Sequence, residues 1–367
     1  GDRARRAGPF PGDIPDGEAS GLFLYLNTNK LGVTLNPETA LGHRLFEKLV
    51  EKADILVESN SPGTMESLGL GYSALVAVNP RLIVVSITPF GQTGPYSEYR
   101  SCDLINQHMG GLGASTPGIV ENPEKEFPLK VGGYQADMLT GVTAALLAMS
   151  AVAQRTTTGR GCHIDLSEHE AMAAALIHPI VQYLSDGIPP IRAKATSGSG
   201  GRYGAGGMLP CKNGSVQLHC GEDHQWRAFA EVTGKPEWAC GESFKTRALR
   251  ARNWESIEPE LLKWASERTV GEVYTACQAK HVPCLPVNTI GQVVQNEHLE
   301  ERKFFVDIEH PKAGRLRYPG APYKFSRTPC RADRPAPLLS QHNEEVICGM
   351  LGHSQSDLIK MREAGAI

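Results

Sequence analysis

Residues 53–88 decide the fold. They run Ala53-Asp-Ile-Leu-Val-Glu58, the polar turn Ser59-Asn60-Ser61-Pro62-Gly63, the helical stretch Leu68-Gly-Leu-Gly-Tyr-Ser-Ala-Leu75, the breaker Asn79-Pro80, and Arg81-Leu-Ile-Val-Val-Ser-Ile-Thr88. The two apolar runs are short and unbroken, the pattern of strands covered on both faces. Ahead of them, residues 37–52 form an amphipathic helix with Pro37 at its start, where proline is tolerated. With a short strand over 31–35 ahead of that helix, the order strand, helix, strand, helix, strand is the α/β pattern of an open, mostly parallel Rossmann-like sheet, whose ligands sit beyond the carboxyl ends of the strands.

Outward from this core, Phe23 to Leu26 and Leu31 to Leu35 read as short strands around Asn27-Thr-Asn-Lys30, and residues 1–21 as a loop. Cys102 to Gly110 reads as helical. Cys162-His-Ile-Asp-Leu-Ser167 returns as a strand, and one helix follows over Glu168 to Leu184. Between these lies Leu129-Lys-Val-Gly-Gly-Tyr-Gln-Ala-Asp137, then a segment from Met138 to Ala153 of Ala, Leu, Met and Val diluted with Thr, Ser and one Gly. That segment predicts a helix buried on most sides. Asp137 is then its first residue or N-cap, where the helix dipole and free N–H groups favour the ionised carboxylate. A cap alone accounts for an Asp at such a place.

A length of 367 residues exceeds one ordinary core and calls for two domains. The composition divides the chain into a large Rossmann-like domain over 1–190, a linker with a glycine loop over 191–210, a smaller α+β domain over 211–325, and a C-terminal segment over 326–367 that returns to the large domain. The linker holds the most glycine-dense run, Ser197-Gly-Ser-Gly-Gly-Arg-Tyr-Gly-Ala-Gly-Gly207. A net charge of −3 leaves no electrostatic footprint for nucleic acid, and Arg3-Ala-Arg-Arg6 reads as a solvated end. Nine cysteines without C-x-x-C pairs suit reduced thiols in the cytoplasm. Met138 to Ala153 is short and rich in Thr and Ser for a bilayer span, and no secretory signal opens the chain, so no membrane is expected.

The motifs exclude several chemistries. Gly69-x-Gly71-x-x-Ala74 imitates a dinucleotide fingerprint but follows a helical turn rather than a strand. The twelve histidines are scattered, and His108, His163 and His219 read as core or surface residues, so no metal is expected. A G-x-S-x-G elbow and a P-loop are both missing. What remains is a carboxylate at a helix N-terminus and a distant glycine run. An ionised Asp can attack an activated acyl carbonyl and form a covalent intermediate. A glycine-rich loop can present backbone N–H groups to the developing oxyanion and shield the intermediate from water, although a solvated linker has the same composition.

These residues resemble family III CoA-transferases, the group that includes formyl-CoA and carnitine CoA-transferases. The resemblance runs through Gly1-Asp-Arg-Ala-Arg5, Asn27-x-Asn-Lys30, Ala53-Asp-Ile-Leu-Val-Glu58, Pro62-Gly63, Leu68-Gly-Leu-Gly-Tyr72, Asn79-Pro-Arg-Leu82, Phe90-Gly-Gln-Thr-Gly-Pro95, Ala136-Asp137 with Gly141, Thr158-Gly-Arg-Gly161 and Pro335-Ala-Pro-Leu-Leu339. It implies that Asp137 is the catalytic aspartate, holding first an acyl anhydride and then CoA as an aspartyl thioester. It implies that Gly204, Gly206 and Gly207 belong to the mobile catalytic loop. It implies CoA contacts at Leu35, Asn36, Pro37, Glu38, Ser59, Asn60, Ser61, Ser67, Arg100, Ser101, Cys102 and Asp103, with acyl-CoA as substrate, a carboxylic acid as acceptor, and an interlocked homodimer.

Members of the family carry an opening strand–turn–helix ahead of the position of Gly1, so the chain is expected to be truncated there. Glu38 and Ser67 stand where other members carry different or basic residues. The glycine run is interrupted and lacks the Gln of the formyl-CoA branch, which argues against oxalate and formate as substrates. The racemase branch of the same fold pairs a His with an Asp as acid and base. Cys102 stands at that His position, so proton shuttling at the α-carbon lacks one partner; racemisation and non-catalytic acyl-CoA binding are the lesser alternatives to transfer.

Overall fold

The computed structural model describes residues 1–120, 122, 124–188, 192–194 and 206–367. Helices α1 (Gly21–Leu26) and α2 (Ala40–Lys52) lead to β1 (Ile55–Glu58), then α3 (Thr64–Ser67), α4 (Tyr72–Val78) and β2 (Ile83–Thr88). Next come α5 (Asp103–Met109), β3 (Ile119–Val120), α6 (Gln135–Thr158), β4 (His163–Ser167), α7 (Glu168–Ala175), α8 (Ile177–Asp186) and β5 (Ala193–Lys194). Strands β6 (Gly206–Cys211) and β7 (Gly214–His219) precede α9 (Asp223–Val232), α10 (Glu237–Cys240), α11 (Arg247–Arg252), α12 (Trp254–Ser266) and α13 (Val270–Ala279). The chain closes with β8 (Cys284–Pro286), α14 (Ile290–Val294), α15 (Glu297–Glu301), β9 (Phe305–His310), β10 (Gly314–Pro319) and α16 (Gln355–Glu363).

Two compact units emerge, each discontinuous in sequence: Gly1–Asp103, Ala136–Ala171 and Val293–Ile367 in the first, Leu104–Gln135 and Met172–Gln292 in the second. The first unit is built on a parallel sheet of order β1-β2-β4. Alternate residues of β2 serve opposite faces. Ile83 and Val85 meet Ala144, Ala148 and Ala151 of α6, while Val84 joins Val50 of α2 and Leu75 of α4. Burial on both faces is why the strand sequence is apolar without alternation.

Helix α6 extends over 24 residues, beyond both ends of the segment read from composition. By length and composition it could cross a membrane, which corrects the expectation of a segment too short to do so. It is also not buried on most sides. The alanines at 144, 148 and 151 lie at helical spacing and let the helix approach the sheet closely, whereas Val142, Leu146 and Met149 on the opposite face are 70%, 66% and 62% exposed. The last turn carries Arg155, whose guanidinium is buried. It donates to Asp54 O (3.2 Å) and Arg81 O (2.9 Å), the carbonyls just ahead of β1 and β2, and pairs with Asp54 Oδ1 at 2.7 Å.

Several local expectations change. Residues 23–26 are helical in α1, because the Ser20 hydroxyl accepts from Phe23 N–H and caps the turn. Residues 31–35 form no strand. Their backbone bonds go to side chains of the C-terminal segment, Gly32 N–H to His342 Nδ1 (3.0 Å) and Thr34 N–H to Asn343 Oδ1 (2.9 Å). The helix expected over 168–184 breaks at Leu176, whose ψ of 45° separates α7 from α8. In the C-terminal segment, residues 345–350 wind as a π-helical turn, and Ile347, Leu358 and Met361 pack against Leu45 of α2.

The β9–β10 hairpin also belongs to the first unit and packs on Phe23 and Leu24. His310, at the end of β9, is buried, and its Nδ1 accepts from Lys312 N–H (3.2 Å) and Ala313 N–H (3.1 Å). Burial holds its pKa below the ordinary histidine value.

In the second unit an antiparallel sheet of order β6-β7-β8 is covered by α9, α12 and α13, with Trp226, Phe229, Trp254 and Leu261 in its core. Arg250 is fully buried there, pairs with Asp223 Oδ1 at 2.8 Å and lies over the Trp226 ring. The hydrogen bond from Arg250 holds the Asp223 carboxyl below its usual range.

Arg155→Met is expected to lower unfolding stability by about 3 kcal/mol, since it strips donors from two strand-end carbonyls. Asp54→Asn, at the solvated end of the pair, should cost under about 1 kcal/mol; urea unfolding of both variants checks the difference. For His310 the folded state favours the neutral ring, so its contribution is complete above the unfolded pKa of 6.5 and is lost as pH falls through the lower folded value. His310→Asn, which keeps an acceptor near Nδ1, is expected to flatten the acid limb of a stability–pH curve.

Candidate functional site

The site is set by the direction of α6. Arg155 in its last turn is bonded at the amino ends of β1 and β2, and the next strand, β4, runs parallel to both. The first turn of α6 therefore lies toward the carboxyl ends of the strands. Asp137 sits 18 residues before Arg155, about 27 Å along the axis at about 1.5 Å per residue, farther than β2 reaches. Asp137 is the third residue of α6 and is exposed. It is neither the first residue nor the N-cap expected from the sequence. Capping of the Ala136 N–H falls to the buried carboxylate of Asp103, whose Oδ1 accepts it at 2.8 Å. Two carboxylates thus stand at the positive end of this helix dipole, one locked as a cap and one at the surface.

The segments leaving the strands form the rest of the rim. After β1, Ser59, Asn60 and Ser61 are exposed, and Glu58 Oε2 accepts from both the backbone N–H (2.7 Å) and Nδ2 (3.0 Å) of Asn60. Gly63, at φ 80°, turns the chain into α3, where the Ser67 hydroxyl donates back to Thr64 O at 2.8 Å. After β2, the loop is tied down by Gln92 N–H, which donates to both Asp165 oxygens at 3.1 Å. Phe90, Tyr96 and Tyr99 form an aromatic cluster there, with the two tyrosine rings stacked at 5.1 Å. Arg100 and Cys102 follow, both exposed, and Ser101 Oγ lies 3.4 Å from Cys102 O.

The turn at Leu35, Asn36, Pro37 and Glu38 is anchored differently. Leu35 packs beside Leu45 and Ile347, and Asn36 N–H donates to Ala366 O at 2.8 Å. Asn36 O approaches α2 so closely that a Cβ on Gly42 would lie 1.9 Å from it. Only glycine fits at 42, and it sets the turn onto the helix whose cap is Thr39.

Beside the Ser59–Ser61 turn lies a shallow open cleft lined by Ser61, Met65, Tyr72, Ser86 and His163 among others. Ser86 Oγ and His163 Nε2 are 2.9 Å apart, and the Tyr72 ring stacks on His163 at 5.2 Å. Sequence reading assigned no site role to Ser86 or Tyr72 and took His163 for a core or surface residue. The one available signal was a serine interrupting the apolar run of β2, at the same parity as His163 in the parallel register.

The first unit therefore carries Asp137, Asp103, Arg100 to Cys102, Ser59 to Ser61, Ser67 and Leu35 to Glu38. Gly206 and Gly207 belong to the second unit. They are strand residues, paired in β6 opposite His219 and Leu218, rather than part of a loop, because β7 recruits their backbone. Gly204 lies outside the described residues.

Similarity to known proteins supports one chemistry. The family model described as CoA-transferase family III matches residues 1–343. A formyl-CoA:oxalate CoA-transferase of Streptomyces avermitilis is 28% identical over 97% of this chain and 88% of its own length. A succinate–glutarate CoA-transferase of Agrobacterium fabrum is 31% identical over 95% of this chain and 85% of its own. Among solved structures, a CAIB/BAIF family protein from Brucella suis superposes with a TM-score of 0.81 at 28% identity, covering 96% of this chain and 89% of that one.

Asp103→Ala is expected to cost about 1 kcal/mol of stability through loss of the cap on α6, and Asp103→Asn, which keeps an acceptor, a few tenths. Denaturant midpoints of the two variants measure this, and equal midpoints would show that the cap contributes nothing.

Proposed function

The chain belongs to CoA-transferase family III, and from that membership we propose that it moves coenzyme A from an acyl-CoA to a carboxylic acid through covalent attachment to Asp137. The observation that carries this reading is the exposed Asp137 carboxylate in the first turn of α6, beyond the strand ends and beside a helix terminus already capped by Asp103.

The Asp137 carboxylate attacks the thioester carbonyl and the CoA thiolate leaves, giving a mixed anhydride. The thiolate then attacks the aspartyl carbonyl and releases the donor acid, leaving CoA on Asp137 as a thioester. The acceptor carboxylate attacks that thioester, forming a second anhydride and freeing the thiolate. Attack of the thiolate on the acceptor carbonyl yields the new acyl-CoA and restores Asp137. Every high-energy bond broken is replaced by another, so the cycle needs no external energy.

Coenzyme A enters as a substrate, and no resident cofactor takes part. Its contacts are proposed at Leu35 to Glu38, Ser59 to Ser61, Ser67 and Arg100 to Asp103. Arg100 is the exposed cation of that set and suits a phosphate. The family resemblance gives the glycine stretch that ends at Gly206 and Gly207 the role of shielding the anhydride from water, and β6 fixes its end. The acids named in the two relatives are oxalate, succinate and glutarate; the interrupted glycine run argues against oxalate, so longer dicarboxylic acids are the first acceptors to assay.

The working form is proposed to be a homodimer. Val142, Leu146 and Met149 make an apolar stripe along α6, and Ile177, Val181 and Leu184 make another along α8, all exposed. Stripes of this kind mark surfaces that a partner covers. Nine free thiols suit a reducing compartment such as the cytoplasm.

Incubation with acyl-CoA followed by borohydride or hydroxylamine is expected to modify Asp137 in a mass spectrum. Asp137→Ala should lose at least about three orders of magnitude of exchange, in the range seen for lost nucleophiles, while CoA binding changes little. Deuterium wash-in at the α-carbon without exchange would favour the racemase, and binding with neither reaction a non-catalytic protein. Leu146→Glu is expected to shift the mass in sedimentation from dimer to monomer.

A further inference from the structure

One carboxylate of the first unit has no part in the proposed transfer and yet touches the loop that leaves β2. Asp165 is the middle residue of β4, on the same face as His163, and is exposed. Both of its oxygens lie 3.1 Å from Gln92 N, so they share the single N–H of that residue. Gly91 makes the approach possible with a φ of 87°, a left-handed turn at which a Cβ would lie 3.8 Å from both oxygens. The same two segments meet again just below. His169 N–H donates to Pro89 O at 3.0 Å, and the rings of Phe90 and His169 meet edge-on at 5.9 Å.

Beyond Gln92 the chain folds on itself. The Ser97 N–H and hydroxyl both donate to Gly94 O, at 3.3 and 3.0 Å, and Tyr99 N–H donates to Tyr96 O at 2.8 Å. Phe90 meets the rings of Tyr96 and Tyr99 edge-on, at 5.9 and 6.5 Å. These contacts hold residues 90–99 to one another, and Asp165 holds them to the sheet. Arg100, Ser101 and Cys102 follow directly.

We propose that Asp165 is a positioning residue for coenzyme A: by fixing the loop after β2 it sets where Arg100 to Cys102 stand, an inference that rests on the CoA contacts proposed above. A segment ordered before its ligand arrives loses less conformational freedom on binding. The carboxylate restrains the backbone eight positions ahead of Arg100, the cation suited to a phosphate. The nucleophile stands apart from this tether. Asp137 belongs to α6, whose first turn is capped by Asp103. Loss of the tether therefore weakens the hold on CoA equally in ground and transition states, which raises KM and leaves kcat in place.

The test compares the full chain with Asp165→Ala, Asp165→Asn and Gly91→Ala by titration calorimetry with free coenzyme A. Asp165→Ala is expected to raise Kd about fivefold, the scale of one lost hydrogen bond. Asp165→Asn keeps an oxygen acceptor and should recover most of that affinity. Gly91→Ala, strained at its left-handed φ, disturbs the tether from the other side and should resemble Asp165→Ala. With an acyl-CoA the KM of Asp165→Ala should rise by the same factor while kcat stays within about twofold, and native trypsin should cut after Arg100 faster than in the parent chain. An unchanged Kd, a parent chain without affinity for coenzyme A, or a fall in kcat at constant Kd would overturn the proposal. Binding of coenzyme A without acyl exchange in the parent chain would sink the transfer reading instead, and a weaker Kd in Asp165→Ala would still support the positioning role.

Discussion

The buried guanidinium of Arg155 fixes the frame on which the rest of the first unit depends. It joins the last turn of α6 to the carbonyls at the amino ends of β1 and β2, so the helix cannot slide along the sheet without breaking two hydrogen bonds and an ion pair. With one end pinned, the other end is a matter of length. A helix of 24 residues outruns strands of four to six residues and carries its first turn past their carboxyl ends.

The alanines of α6 complete that constraint. Small side chains at 144, 148 and 151 let the helix lie close against Ile83, Val85 and Leu166, and leave its larger residues on the far side. One helix thus carries a packed face, an apolar outer face and an acidic first turn. That first turn is organised by division of labour between two acids. Asp103 satisfies a backbone donor that would otherwise demand a cap, and Asp137, one residue beyond that donor, is left at the surface. Its place at the positive end of the helix dipole suits the nucleophile role proposed for it.

Elements whose residues form one continuous apolar run were legible in the sequence. The runs at 53–58 and 81–88 contain β1 and β2, and 162–167 contains β4. Elements whose partners are remote were not. Residues 31–35 have a strand-like composition, but His342 and Asn343, some three hundred positions away, take their N–H groups. Gly206 and Gly207 look like loop residues, yet β7 pairs with them. Ser86 and His163 lie far apart in the chain and meet only because β2 and β4 are adjacent and parallel.

By itself the sequence determined the α/β class, the parallel strands, the long apolar helix and the acid in its first turn, because each of these is written in the periodicity and residue types of one continuous segment. Tertiary structure decided the rest. It set which face of α6 is covered, which acid caps and which is exposed, and where Asn36 is anchored. Those outcomes depend on contacts between segments distant in the chain, and no local pattern in the residues at 53–88 or around Asp137 records them.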